Sequence, residues 1–264
     1  MTEEVQVQFD GAIAVVTLNR PDKLNALTTA GFMALTRTLR ELALHDDAGV
    51  VIVTGAGRAF CAGGDVASMA ADQEFTETSL EGRAQTLREA MDCARVLHEM
   101  PKPTIAMVQG AAAGAGLSLA LSCDLRVAST NARLVTAFKD VAYSGDFGGS
   151  YFLTRLVGPS KAKELYFLSE RLDAERAQGL GLVNFVFPDE ELLDRTKAIA
   201  AKLAAGPRLA YRYMKRNLNA AETMTLGEVM DLEAWHHTRC GMTDDHLEGA
   251  RAFVEKRKPV FKGR

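Results

Sequence analysis

Short apolar runs rich in β-branched residues recur along the first half of the chain: AIAVVTLN at 12–19, GVVIVTGAG at 49–57, PTIAMVQG at 103–110 and DLRVAS at 124–129. Each reads as a strand, and several close on Gly or Asn, which turns favour. Between them, apolar residues repeat at three- and four-residue steps. Phe32, Leu35, Leu39 and Leu42 predict a helix over 29–44, and Leu87, Met91, Ala94 and Leu97 predict one over 83–99. Strands alternating with helices predict an α/β core with largely buried strands. From about Asp189 onward the strand signal fades. Three helical segments follow, over 189–205, 208–221 and 225–242. The first starts with acids and stops at Gly206-Pro207, as capping and the helix dipole favour. The chain is therefore expected to divide into an α/β core, residues 1–190, and a helical C-terminal module, residues 191–264.

Composition narrows the function classes. The 264 residues are 47% hydrophobic and 25% charged, ordinary globular values that exclude disordered and fibrous classes. A net charge of −3 argues against a dedicated nucleic-acid binder. Cys61, Cys93, Cys123 and Cys240 lie far apart with no C-x-x-C pair, so reduced thiols in a cytoplasmic protein are expected. The N-terminus shows no secretory signal. Residues 103–123 carry no charge and are long enough on paper to span a bilayer. Gln109, Gly110, Gly114 and Gly116 divide that run, which reads better as strand, turn and buried helix than as a membrane span. Adjacent His236 and His237 point about 100° apart on a helix, so no metal chelate is expected. Trp235 is expected to serve packing, and His98 to lie on the surface or cap a helix end.

Four segments carry candidate chemistry. RAFCAGGDV at 58–66 follows a strand directly. Its paired glycines suit either a tight turn or backbone N–H groups presented to a ligand. QGAAAGAGLSLALSCD at 109–124 runs from a strand into a helix expected to begin near Ala115. It resembles a dinucleotide fingerprint only weakly, because Leu119 stands where the third glycine belongs. Two N–H groups from two such strand ends can form an oxyanion hole. In YSGDFGGSYFLTR at 143–155, Asp146 sits among Gly145, Gly148 and Gly149. It suits either proton transfer or capping of the next helix, whereas Asp140 reads as a surface residue. At the C-terminus, Lys256, Arg257, Lys258 and Lys262 beside Phe253 and Phe261 suit a phosphate-bearing ligand or a solvated tail.

In their order along the chain, these segments resemble the crotonase superfamily, also called the enoyl-CoA hydratase/isomerase family. The resemblance runs through LNRPDKLNAL at 18–27, FCAGGD at 60–65, VQGAAAGAGLSLALSCDLRVAS at 108–129, GLVNFVFPDEEL at 181–192 and FVEKRKPVFK at 253–262. It implies a spiral of ββα repeats with a helical C-terminal part that drives homotrimers, often stacked as dimers of trimers. It also implies an acyl-CoA thioester as substrate, with no separate cofactor and no nucleic-acid or membrane partner. On the matching positions, the thioester carbonyl would lie between the N–H groups of Gly64 and Ala115, and the Ala62 carbonyl would meet the adenine. Lys23 and Arg58 would stand near the CoA phosphates, and Phe253 and Lys256 would come from the chain's own tail or a neighbouring subunit.

The chain departs from the hydratase pattern at two positions. The family's two hydratase glutamates would fall at Ser118 and Phe138, so efficient hydration is not expected. Asp146 matches the aspartate that several enoyl-CoA and dienoyl-CoA isomerases use. A dehalogenase branch is disfavoured, because its histidine would fall near Met91. Ser144-Gly145-Asp146 also resembles the naphthoate synthase branch, with a loop of different length. The leading expectation is a double-bond isomerase with Asp146 as acid/base and Phe138 helping to exclude water. The alternatives are a hydratase or acyl-CoA hydrolase using Asp146-activated water, and a non-catalytic acyl-CoA binder. Residues 66–85, with Gln73, Glu74 and Glu77, are expected on the acyl side.

Overall fold

The computed structural model describes residues 4–71, 77 and 79–263. Val5–Asp10 (β1) and Ile13–Leu18 (β2) form a hairpin in which Gly11, at φ +57°, supplies the left-handed residue that a tight turn needs. Thr29–Leu44 (α1) follows, capped by the Thr28 hydroxyl accepting from Gly31 N–H at 3.1 Å. Next come Val50–Gly55 (β3), Val66–Ala70 (α2), Leu80–Ala90 (α3), Asp92–Glu99 (α4), Thr104–Val108 (β4), Ala111–Ala113 (β5) and Ala115–Leu121 (α5). Leu125–Ser129 (β6), Arg133–Val135 (β7), Gly149–Leu168 (α6), Leu172–Asp173 (β8), Ala174–Gly179 (α7) and Phe185–Phe187 (β9) complete the mixed part. Four helices end the chain: Leu192–Ala204 (α8), Arg208–Ala220 (α9), Leu226–Gly241 (α10) and Asp244–Val254 (α11).

Six strands make one sheet in the order β1-β2-β3-β4-β6-β9, parallel except for the β1/β2 hairpin. A smaller sheet, β5-β7-β8, lies beyond it. The central strand β3 is buried along almost its whole length, which explains its unbroken β-branched run. On one face, Leu35 and Leu39 of α1, Leu97 of α4 and Leu119 of α5 build the main core with Val51, Val53 and Val108 of the sheet. On the other face, Leu192 and Ala200 of α8 cover Ile13, Val50, Ile52, Ile105 and Val127. Full burial of each Leu or Ile contributes about 1.5–3 kcal/mol. Helix α8, which follows the expected boundary at 190/191, therefore seals the sheet. Helix α9 is tied back to the sheet as well: the buried Lys215 Nζ donates to Leu97 O and Asp124 Oδ2, both at 2.8 Å.

The four strand expectations from the sequence meet β2, β3, β4 and β6 to within two residues. The predicted helix over 83–99 is two helices, broken at Met91. Its apolar stripe continues across the break, so periodicity alone does not reveal it. The uncharged run 103–123 resolves into β4, β5 and α5, and among the described residues no helix is long and apolar enough to cross a membrane. Trp235 is 80% exposed on this chain, so its expected packing role is not met within it.

Candidate active site

The loop after β3 is shaped by close approaches that only glycine permits. A Cβ on Gly55 would lie 2.2 Å from Ala59 O, and one on Gly110 would lie 1.9 Å from Arg58 O. Two carboxamides, of the buried Asn25 and the half-buried Gln109, then clamp the loop. Asn25 Nδ2 donates to Ala56 O at 2.9 Å and Ala59 O at 2.8 Å, and Gln109 Nε2 donates to Gly55 O at 2.6 Å and Ala59 O at 2.7 Å. Asn25 sits at φ +58°, in the left-handed region that Asn tolerates. The holding roles of these two residues and of Arg20 escaped the sequence reading. Their signal lay inside LNRPDKLNAL and in the Gln before Gly110, but only the fold shows what they hold.

Beyond the clamp, the chain runs as a narrow parallel ribbon. Leu27 N–H donates to Gly63 O and Asp65 N–H to Leu27 O, a pattern that turns the N–H of Gly64 away from Leu27. Cys61 pairs in the same way with Ala112, which brings this ribbon against the turn leading into α5. The fit is tight. A Cβ on Gly63 (φ +97°) would lie 2.8 Å from Ala113 O and 3.3 Å from Ala115 N, and one on Gly116 would lie 2.2 Å from Cys61 O. Ala115 opens α5, so its N–H has no intrahelical acceptor. Among the described residues, no backbone carbonyl accepts from the N–H of Gly64 or Ala115.

Asp146 arrives from the other side. Gly149, the first residue of α6, lies so close to α5 that a Cβ there would be 2.3 Å from Ser118 Oγ and 2.6 Å from Tyr166 Oη. This contact holds the preceding loop, with Gly145 at φ +109° and Gly148 at φ +72°, against the turn that opens α5. The cap of α6 is Gly148, so Asp146 is not the side-chain cap that one reading of the sequence allowed. Instead, Asp146, Gly64 and Ala115 line one cavity of about 430 Å³. Leu27, Phe32, Met69 and Phe147 supply apolar wall, and Glu77 lines it too. Gln73 and Glu74 lie outside the described residues.

Asp65, which lines the cavity with Glu77 and Glu89, is committed elsewhere. Burial pushes the Asp65 carboxyl up, but Arg20 Nη2 at 2.9 Å together with the backbone N–H groups of Ser68 and Ala67 outweighs it, and the net displacement is downward. Asp65 also caps α2 through Ala67 N–H at 3.2 Å. Tyr166, a residue the sequence did not single out, has its phenol pushed up to about 12 by burial and by the charge of Asp146. Its ring stacks on Phe138, centroids 5.8 Å apart.

The remaining expected residues fall around the cavity rather than on it. Ser118 and Phe138 are buried behind its wall: Ser118 Oγ donates to Gly114 O at 3.3 Å, and the Phe138 ring lies against Gly114. Lys23 and Arg58 are exposed on the loops that the carboxamides clamp, and Ala62 is half-buried between them and Gly63. Phe253, one residue before the end of α11, is 85% exposed, with Lys256 exposed just beyond the helix, and this chain does not fold either into the cavity. His98 is half-buried rather than a surface group. It packs edge-on against Phe152 at 5.2 Å, and burial lowers its pKa. His236 is buried and stacks on Tyr213, centroids 4.3 Å apart, while His237 is exposed.

The family model described as enoyl-CoA hydratase/isomerase matches residues 8–264. The chain is 34% identical over 264 residues to a 1,2-epoxyphenylacetyl-CoA isomerase of Escherichia coli K12, covering 100% of both chains. It is 35% identical over 260 residues to a probable enoyl-CoA hydratase of Rhodobacter capsulatus, covering 98% of both. A crystal structure of a putative enoyl-CoA hydratase from Streptomyces coelicolor A3(2) superposes with a TM-score of 0.93 at 34% identity, covering 99% of this chain and 94% of that one. With the paired loops, the two-sheet core and these matches in place, the chain belongs to the enoyl-CoA hydratase/isomerase family and has the crotonase fold.

Proposed function

We propose that this enzyme shifts a double bond in an unsaturated acyl-CoA thioester. The observation that carries the reading is the shared cavity of Gly64, Ala115 and Asp146. In this reading the thioester oxygen accepts from the N–H groups of Gly64 and Ala115, which stabilise the enolate as its charge develops. Such a donor is worth about 3–4 kcal/mol. Asp146 takes a proton from the α-carbon of a β,γ-unsaturated thioester and returns it two carbons away, to the γ-carbon. One carboxylate serves both ends because the planar dienolate stays fixed beneath it. Ser118 and Phe138 leave no second carboxylate at the usual glutamate positions, and Asp65 is held by Arg20. The CoA phosphates lie over Lys23 and Arg58, the adenine over Ala62, and Phe253 and Lys256 arrive from a neighbouring copy in a homotrimer or a pair of trimers.

Replacing Asp146 with Asn tests the assignment. Turnover should fall by about 10²–10⁴-fold, with affinity for a saturated acyl-CoA retained. Turnover at the parent rate would remove Asp146 from the chemistry. A second reading, hydration by Asp146-activated water, is favoured by the hydratase names of two of the relatives. Product analysis separates the two. Conversion of a 3-enoyl-CoA without water uptake supports isomerisation, whereas faster addition of water to a 2-enoyl-CoA supports hydration.

A further inference from the structure

Two cavities lie back to back and share one side chain. The first is the cavity of Gly64, Ala115 and Asp146. The second, of about 530 Å³, has Met91, Ala94 and Phe152 among its apolar lining and Arg88, Arg95 and Glu99 as its charged lining. Phe147 lines both. Two chain segments border both cavities: Asp146 lines the first and Gly148 the second, and at the end of α3 Glu89 and Ala90 line the first while Arg88 and Met91 line the second. The break between α3 and α4 therefore falls at this wall.

The Phe147 ring is 2% exposed and packs on Phe32, another wall residue of the first cavity, with centroids 4.3 Å apart. Its backbone sits at φ +49°, a region that disfavours a bulky side chain. A glycine there would remove the strain, as its neighbours at 145 and 148 do. The surroundings hold Phe in that conformation, and its ring is what closes the space.

We propose that Phe147 sets the length of acyl group that the enzyme accepts, by closing the end of the acyl cavity. This rests on the reading that the first cavity receives the thioester's acyl part. Behind the partition, the Met91, Ala94 and Phe152 surfaces suit a methylene chain. Shortening Phe147 joins the two spaces and admits longer chains.

The test uses Phe147→Ala and Phe147→Leu in the full chain, with saturated acyl-CoA thioesters from butanoyl to hexadecanoyl as probes and calorimetric Kd values as the readout. Both Ala and Leu already occur at positive φ in this protein, at Ala137 and Leu24, and Leu is included because it leaves the smaller void, so it keeps a testable fold if Ala does not. In the parent, affinity should stop rising once the chain reaches the partition. In the variants, the ratio of long-chain to short-chain affinity should rise, by about fourfold for each methylene that enters the second cavity. A further Met91→Trp change, which refills that cavity, should cancel the gain. Folded variants whose chain-length profile parallels the parent's would overturn the inference. A parent that binds no acyl-CoA of any length would overturn the functional reading itself, and this result is distinct from the first.

Discussion

Gly116→Ala tests the convergence of the two loops most directly. The new methyl would sit 2.2 Å from Cys61 O and 2.8 Å from Cys61 C, both backbone atoms of the ribbon that carries Gly64. Backbone cannot swing aside as a side chain tip can, so the ribbon and α5 must separate. An overpacked contact of this kind costs about 1–3 kcal/mol of stability. At about 2–4 °C per kcal/mol for a chain of this size class, Tm should fall by about 2–12 °C. The separation also pulls one N–H donor off the thioester oxygen, which should lower kcat by about 10²–10³-fold. The assay is kcat on an unsaturated acyl-CoA together with a thermal melt, with Gly179→Ala as the control. A Cβ on Gly179 meets nothing within 4 Å, so that variant should keep the parent's kcat. If Gly116→Ala matches the control in kcat while remaining folded, the donor-pair argument is wrong.

Two further perturbations report on stability and assembly. The Asp92 side chain is 8% exposed and bonded by Arg95 at 2.7 Å and Arg88 at 3.3 Å, and also by Arg40. Hydrogen bonding by Arg95, opposed by burial and aided by Arg40 and Arg88, holds its carboxyl at about 2 instead of 3.8. A depressed carboxylate stabilises the fold above its unfolded value and loses that contribution as pH falls through the folded one. The window is therefore about pH 4 down to 2, and with roughly half-exposed arginines the contribution is about 1–2 kcal/mol. Urea melts of Asp92→Asn should show that deficit at neutral pH and little of it near pH 2; an equal deficit at both would refute the linkage. Sedimentation should give three or six copies of the 28.6 kDa chain, and replacing the exposed Trp235 and Phe253 by Glu should release single copies. A parent that sediments as one chain would contradict the trimer.

What the sequence reveals here follows from how local each signal is. The buried strands declare themselves through β-branched runs, and α1 and α5 through their spacing and the small residues that precede α5. Strand β5 is three alanines, whose pairing with β7 is fixed only by the loops around it. The break at Met91 lacks Gly or Pro, and the arginines that gather on Asp92 come from both sides of it and from α1. At the site, Asp146 is legible as a lone acid among glycines, whereas Gly64 and Ala115 are named as a pair only through the family resemblance. Asn25, Gln109 and Tyr166 act through partners about 20 to 60 residues away, so no local pattern marks them. Phe147 reads as an ordinary core aromatic until two spaces are found on its two sides.

The Cys61 thiol lies within the ribbon, donating to Asn25 O at 3.2 Å and accepting from Gly63 N–H at 3.4 Å, and burial pushes it up to about 12. An alkylating reagent has no path to that sulfur while the loops are closed. Its reaction rate therefore gauges how often they part, without any substrate present. The enzyme carries a chemical clock for its own catalytic scaffold, read by mass spectrometry from a single modified peptide.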